Sequence, residues 1–315
     1  MQAIKISAIL PNYNSVVFLP KSIETLVEQT DAFDEIIIVD DGSTDNSVEV
    51  IQGFMQTHAN IRLIRHEKNQ GVNAALNTGI KASTGDYVIL CAADDFYAKN
   101  IVALAKDVIQ KHPQVGLICG DAVVYRYDLK APFYRLLPYP THCYISPQQF
   151  KRIAAKSYVG FNGGGGMFIN RELMLKAGML NPALRWHSDW LLYFVAAFEQ
   201  GFYYVNEVFI HISMRKAGYS ESGKQNKKIQ NQVMLETVKA IAEQHPNLWH
   251  YFQETALAPH YSPRYIPLFL SNASARQFMS LRLAWKMLIN NRLVERVGRL
   301  FPYRVILGVR KLLRS

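Results

Sequence analysis

The sequence predicts an α/β domain, a mostly parallel central sheet flanked by helices, followed by a helical extension. Two apolar, largely β-branched runs, Ile36-Ile37-Ile38-Val39 and Tyr87-Val88-Ile89-Leu90, are continuous rather than alternating, as in strands buried on both faces. Acid follows each run closely, Asp40-Asp41 after the first and Asp94-Asp95 after the second. The carboxyl ends of such strands are where open α/β sheets bind ligands. Segments of helical spacing separate the runs, so strand and helix alternate through the first 125 residues.

A first strand is expected over 5–10, closed by Pro11-Asn12-Tyr13-Asn14. Residues 19–29 follow with Leu19, Ile23, Leu26 and Val27 on one helical face. The second strand, 35–39, runs into Asp40-Asp41-Gly42-Ser43-Thr44-Asp45, and Asp45 can cap a helix to about 56. A third strand falls at 61–65, and Asn69-Gln70-Gly71 turns into a helix ending near 79. The fourth, 86–90, leads to Asp94-Asp95 and a helix to about 111; the fifth covers 115–124. Residues 128–144, rich in Pro, Tyr and Leu, read as a long loop that could border a site. Ser146-Pro147 opens a short helix, with Ser at the cap and Pro at its first position. Beyond it, a helix is expected over 188–200, a strand over 202–212 and a helix over 224–244.

Composition narrows the function classes. Hydrophobic residues make up 49% and charged ones 19% of 315 residues, an ordinary globular balance. Cys91, Cys119 and Cys143 are too few and too scattered for a disulfide or zinc framework, which suits a reducing compartment. The start runs directly into a strand without a signal-peptide layout, and the apolar stretches fall short of the ~20 residues that span a bilayer. The expected location is therefore cytoplasmic. The net charge of +10 is uneven: residues 276–315 hold ten Lys or Arg against Glu295, and the rest is near neutral.

Carboxylates gathered at strand tips repel one another and ask for a cation or a donor-rich ligand between them. Asp40 and Asp41 can accept from a base N–H or from ribose hydroxyls, although a plain strand–turn–helix cap explains them as well. Asp94 and Asp95 can hold Mg²⁺ or Mn²⁺, hard ions that prefer oxygen ligands, with diphosphate oxygens completing the shell. No Gly-x-Gly-x-x-Gly follows the first strand, which argues against a nicotinamide dehydrogenase. A nucleotidyltransferase is disfavoured because Pro11-Asn12-Tyr13-Asn14 stands where a Gly-rich, Arg-containing loop belongs.

Taken together, Pro11-Asn12-Tyr13-Asn14, Val39-Asp40-Asp41-Gly42-Ser43-Thr44-Asp45, the segment Asn69-Gln70-Gly71 to Asn77-Thr78-Gly79-Ile80, and Gly85-Asp86-Tyr87 to Asp94-Asp95 resemble glycosyltransferase family 2. The match covers about residues 4–125 and continues more weakly to about 222. The resemblance implies a GT-A fold, with residues 1–125 as the nucleotide-sugar half, 126–222 as the acceptor half of the same domain, and 223–315 as the extension. It implies that Pro11, Tyr13, Asp40 and Asp41 line the donor nucleoside, with Asn14, Asn69, Gly71, Asn77 and Asp94 also on the donor side. Asp94 matches the last Asp of the family's DXD metal motif, with Asp95 and His211 as further candidate ligands. Asp189, before Trp190, matches the general base of inverting members, although an Asp at this helix start is also a good cap. The glycine run lies beside the acceptor in the family, so Asn162, Gly164, Gly165, Gly166, His187 and Trp190 are expected there.

Four positions depart from the family pattern. Ala92 stands at the first Asp of DXD, Leu76 at a usual Arg, Ser188 at a Glu, and Ala217 where a metal-binding His is frequent. The same losses fit an alternative, a non-catalytic nucleotide-sugar or glycan-binding protein. From 276 onward, Arg282, Lys286, Arg292, Arg296 and Arg299 alternate with Phe278, Leu281, Trp285, Leu288 and Ile289. Such basic amphipathic helices suit an anionic membrane surface, while packing on the domain or an oligomer contact would use the same pattern. No nucleic-acid module is recognisable. The reading is a transferase on the inner face of the cell membrane, moving sugar from a UDP-linked donor to a lipid-linked glycan with inversion.

Overall fold

A computed structural model describes residues 3–278, apart from 138, 140, 157–159, 162–164, 217 and 256–265. The chain runs β1 (Ile6–Asn12), α1 (Leu19–Val27), β2 (Glu35–Asp40), α2 (Ser47–Met55), β3 (Ile61–Arg65), α3 (Val72–Ala82) and β4 (Tyr87–Leu90). It continues through β5 (Phe96–Tyr97), α4 (Ile101–Lys111), β6 (Leu117–Arg126), β7 (Phe133–Arg135), β8 (Cys143–Ile145), α5 (Pro147–Lys156), β9 (Met167–Asn170) and α6 (Arg171–Lys176). After a 3-10 segment, Pro182–His187, come α7 (Ser188–Gln200), β10 (Phe202–Met214), α8 (Tyr219–Gln225), α9 (Lys227–Gln244), α10 (Pro246–Thr255), α11 (Ile266–Ser271) and α12 (Ala273–Arg276).

One sheet carries the domain, in the order β3-β2-β1-β4-β9-β6-β10-β5, with β7 on β6 and β8 on β10. β1, β2 and β4 are buried along their whole length, the polar Ser7, Asn12, Glu35 and Asp40 included. From β3 to β4 all pairings are parallel, with Ile9 opposite both Ile37 and Leu90. Here the chain reverses its direction of travel across the sheet: β2 and β3 lie on one side of β1 and β4 on the other. A crevice opens outside the carboxyl ends of strands at such a switch point.

The second half departs from the parallel expectation. β9 inserts antiparallel between β4 and β6, and β5, β7 and β8 also pair antiparallel. Residues 128–144 are therefore no simple loop, since they contain β7 and part of β8. Strands of three or four residues are too short for an alternation to stand out in sequence. The helix expected over 224–244 is two, α8 and α9, because the Asn226 side chain accepts from Ile229 N and restarts the turn.

Apolar residues pack on both faces of the sheet. One layer joins β1 and β2 to α1 and α4 through Ile23, Leu26, Ile36, Ile38, Ile101 and Val108. The other sets α3, α5 and α7 on the sheet and is dominated by aromatics, with Phe150 in ring contact with Phe194, Phe198 and Phe202. No helix among the described residues is long and apolar enough to cross a membrane. The amphipathic tail lies outside the described residues from 279 onward.

Glu35 pins the amino-terminal edge of the sheet. Its Oε1 accepts from Ser7 Oγ (2.7 Å), Thr84 N (2.5 Å) and Thr84 Oγ1 (2.9 Å), and its Oε2 from Arg62 (3.1 Å). Burial alone would raise its pKa. The hydrogen bonds from Thr84 and Ser7 and the Arg62 charge outweigh burial and hold it below the ordinary 4.5. The unfolded chain then binds this proton more readily, so the stabilisation is present above pH 4.5 and lost as pH falls through the lower folded value. Glu35→Gln is expected to cost about 1–3 kcal/mol at pH 7 and to flatten the acid limb of stability. Urea unfolding between pH 3 and pH 7 checks this; a variant curve parallel to wild type would refute it.

Candidate functional site

Most residues expected to bind the donor converge at the carboxyl ends of β1, β2 and β4. Pro11 is buried within β1, and Tyr13, just beyond the strand, is 46% exposed at the mouth. Asn12 Nδ2 donates to Asp40 Oδ1 (2.8 Å) and to Ser43 Oγ (3.1 Å), and Ser43 N donates to Asp40 Oδ2 (3.1 Å). Asn14, at a φ of 47°, accepts from Thr44 N through Oδ1 (2.8 Å), and its own N–H donates to Ser43 Oγ. These bonds staple the loop after β1 to the loop after β2.

Asp41 is placed at the site but is used internally. Its Oδ1 accepts from His66 Nδ1 (2.7 Å) and Gln70 N (2.9 Å), and its Oδ2 from Gly71 N (2.7 Å). His66 is oriented in turn by Thr78 through Nε2. The carboxylate thus holds the turn Asn69-Gln70-Gly71 against the tip of β2; Asn69 Oδ1 also accepts from Gly71 N, at 3.0 Å. Asn77 does not face this crevice's rim as a donor contact. Its amide brackets Leu180, donating to the carbonyl (2.7 Å) and accepting from the N–H (3.0 Å). Asn73 similarly donates to Arg185 O. Leu76, where an Arg was expected, is a buried core residue.

The acids after β4 have opposite fates. Asp95 is buried and turned inward, its Oδ1 accepting from Ser213 N at 2.8 Å. Burial, then the neighbouring Asp94 charge, push its pKa well above the usual carboxylate range, against the opposing effects of Ser213 and Arg215. Asp94 stays partly exposed, and its Oδ2 accepts from Arg215 Nε (2.8 Å) and Nη2 (2.6 Å). The Arg215 guanidinium also lies 4.3 Å from the ring centre of Phe18. Reading the sequence overlooked Arg215; its signal was a cation just after the last strand, beside the missing histidine position. Ala92 N–H donates to the Tyr97 hydroxyl, a place where a carboxylate would add to the crowd of acids.

A hard divalent ion at such a site takes one or two carboxylates and fills its shell with water and substrate phosphate oxygens. Asp94 is paired with Arg215, Asp95 is turned into the core, and His211 stacks on Phe96 at 4.6 Å with Nδ1 3.4 Å from the Tyr125 hydroxyl. Among the described residues no three His, Cys, Asp or Glu cluster as metal ligands. In this arrangement Asp95 fastens Ser213, and His211 packs among aromatic rings. Position 217 lies outside the described residues.

On the acceptor side, Asp189 opens α7, half-buried, and its Oδ1 accepts from Trp190 N at 2.7 Å. It lies within electrostatic reach of two tyrosines: burial, then Asp189, raise the pKa of Tyr193, while Tyr219 is raised by burial and Asp189 against Arg185. Arg185 takes a left-handed φ of 48°, held through its carbonyl by Asn73. His187 is buried, with Nδ1 3.1 Å from Thr237 Oγ1 on α9. Trp190 packs on Phe194 at 4.5 Å and belongs to the aromatic layer. Asn162 and Gly164 lie outside the described residues. Gly165 and Gly166, at φ 128° and 73°, thread between Leu90 and Ile210, where an added Cβ would come within 2.8 Å of each. Close packing accounts for both glycines.

The family model described as Glycosyl transferase family 2 matches residues 7–177, more than half the chain. The chain belongs to glycosyl transferase family 2. Glycosyltransferase GlyG of Streptococcus pneumoniae is 33% identical over 123 residues, covering 39% of this chain and 40% of that protein. An uncharacterized glycosyltransferase of Haemophilus influenzae is 30% identical over 188 residues, or 59% of each. The matched region thus spans well under two thirds of these relatives. The fold is the GT-A fold seen in S. aureus TarS 1-349 with UDP-GlcNAc, at TM-score 0.62 and 16% identity over 90% of this chain and 78% of that one. Mannosyltransferase PcManGT from Pyrobaculum calidifontis, solved with GDP-Man and Mn²⁺, has TM-score 0.54 and 18% identity over 98% and 84%. A divalent metal is a frequent cofactor in this family.

The two asparagine clamps and Asp41 separate stability from binding. Asn77→Ala is expected to lower stability by about 1–3 kcal/mol and to leave UDP affinity within about twofold, because the side chain holds Leu180 rather than the crevice. Urea denaturation and calorimetry check the two halves, and a large affinity loss without a stability change would contradict it.

Proposed function

We propose that this family 2 chain transfers a sugar from a nucleoside diphosphate donor, UDP-linked, to a hydroxyl of a glycan, inverting the anomeric carbon. The observation that carries the reading is the family 2 match over residues 7–177, with Tyr13 and Asp94 standing just beyond β1 and β4, where such sheets bind ligands. Relatives called glycosyltransferases and the TarS complexes with UDP and UDP-GlcNAc support it.

In the proposed step, Asp189 takes the proton from the acceptor hydroxyl as that oxygen bonds to the anomeric carbon. The bond from that carbon to the diphosphate oxygen breaks, and the nucleoside diphosphate leaves with the electron pair. Attack opposite the leaving group inverts the configuration. Tyr193 and Tyr219, both held protonated to high pH, are the polar neighbours against which Asp189 works. Asp94 is paired with Arg215, and no step is assigned to a metal.

The acceptor is proposed to be lipid-linked, with the basic 276–315 segment on an anionic membrane surface at the cytoplasmic face. The charge excess of that segment supports this, each Lys or Arg near such a surface contributing about 1 kcal/mol.

Incubation with UDP-, GDP- and dTDP-sugars, with and without a membrane-lipid extract, is expected to release diphosphate nucleotide from one UDP-sugar. Asp189→Asn should lower that transfer by about 10²–10⁴-fold with UDP binding retained; unchanged turnover would remove Asp189 from the mechanism. The full chain should co-sediment with phosphatidylserine vesicles at low salt and release as salt rises. Absence of co-sedimentation at any salt would remove the membrane from the proposal.

A further inference from the structure

We propose that Arg215 is the cation that meets the donor diphosphate, which it reaches by leaving Asp94. This rests on the nucleotide-sugar reading above and gives one residue of that site a specific task. Arg215 follows β10 yet bridges two loops of the crevice, Asp94 after β4 and Phe18 after β1. The guanidinium therefore sits across the mouth of the β1/β4 switch point, where an anionic ligand of this fold class is bound. Phe18 supports its flat face, and the side chain remains 40% exposed.

The way it is held leaves it free to change partners. Two N–H groups, on Nε and Nη2, go to a single oxygen, Oδ2 of Asp94. A guanidinium has five N–H donors in a rigid fork that matches phosphate as well as carboxylate. A diphosphate brings more charge and more acceptor oxygens than Asp94 does, so exchange gains on both counts. A partly exposed pair such as this one is cheap to open, since solvent screens it.

The surroundings leave few other charged groups at the end of β4. Ala92 removes one acid from the strand end, and Asp95 is buried against Ser213, so Asp94 is the exposed carboxylate of that segment. Leu76 is packed in the core and offers no charge. In this arrangement Asp94 stores the guanidinium in the empty site rather than ligating an ion.

The test is calorimetric titration of the full chain with UDP, and in parallel GDP, in excess EDTA and in Mn²⁺. UDP is expected to bind in EDTA within about threefold of its affinity in Mn²⁺. Arg215→Ala should weaken UDP by about tenfold or more, and Arg215→Lys, which lacks the fork, should recover only part. Asp94→Asn should bind UDP in EDTA at least as well as wild type, because Arg215 no longer has a competing carboxylate. Binding that needs Mn²⁺ and is lost in Asp94→Asn would overturn the proposal while leaving the donor reading standing. Failure of UDP and GDP to bind in any condition would overturn both. Should Arg215→Ala fail to fold by circular dichroism, Arg215→Lys and Asp94→Asn decide the matter.

Discussion

A buried carboxylate must be satisfied by protein donors, and around this crevice that requirement sorts the acids into those that build and those that react. Asp41 accepts from His66, Gln70 and Gly71, and so hangs the turn before α3 on the tip of β2. Asp40 accepts from Asn12 and Ser43, tying the loop after β1 to the loop after β2. Asp95 accepts from Ser213 N and fastens the end of β10 to the segment after β4. Farther along, Asp121 on β6 accepts from Leu137 N and the Tyr204 hydroxyl, securing the connection between β7 and β8. Asp94 and Asp189 are left partly exposed. Asp94 lies against Arg215, and Asp189 stands at the start of α7.

The first half of the fold was legible because its signals are strong and local. Uninterrupted runs such as Ile36-Ile37-Ile38-Val39 leave little choice but a strand buried on both faces, and acids beyond the runs mark the ligand edge. β9 was not legible: Met167, Phe168 and Ile169 form a strand because they fit between β4 and β6, not because their pattern demands it. β7, with three residues on β6, is a similar case. Tertiary pairing decides short strands, and a single sequence does not display it.

The site was legible in its location and less so in its assignments. A motif names which residues gather, but their hydrogen-bond partners decide what each does. Asn77 lies in a segment typical of donor binding, yet both ends of its amide go to Leu180, 103 residues away. His187, beside the expected base, is turned to Thr237 on α9. The glycine run reads as backbone offered to a sugar, whereas Gly165 and Gly166 are where Leu90 and Ile210 leave no room for a side chain. In each case the competing use comes from an element far off in sequence.

The departures from the family pattern are coherent when taken as one change in charge. Ala92 withdraws a negative charge from the end of β4, and Leu76 withdraws a positive one from α3 into the apolar layer. With both gone, the partly exposed Asp94 and the Arg215 guanidinium remain in contact at the crevice. The Phe18 ring lies against the same guanidinium. An isolated Asp94 would repel a diphosphate, and an isolated Arg215 would have no partner in the empty site. Together they hold a near-neutral mouth until an anion with more acceptor oxygens than a carboxylate arrives.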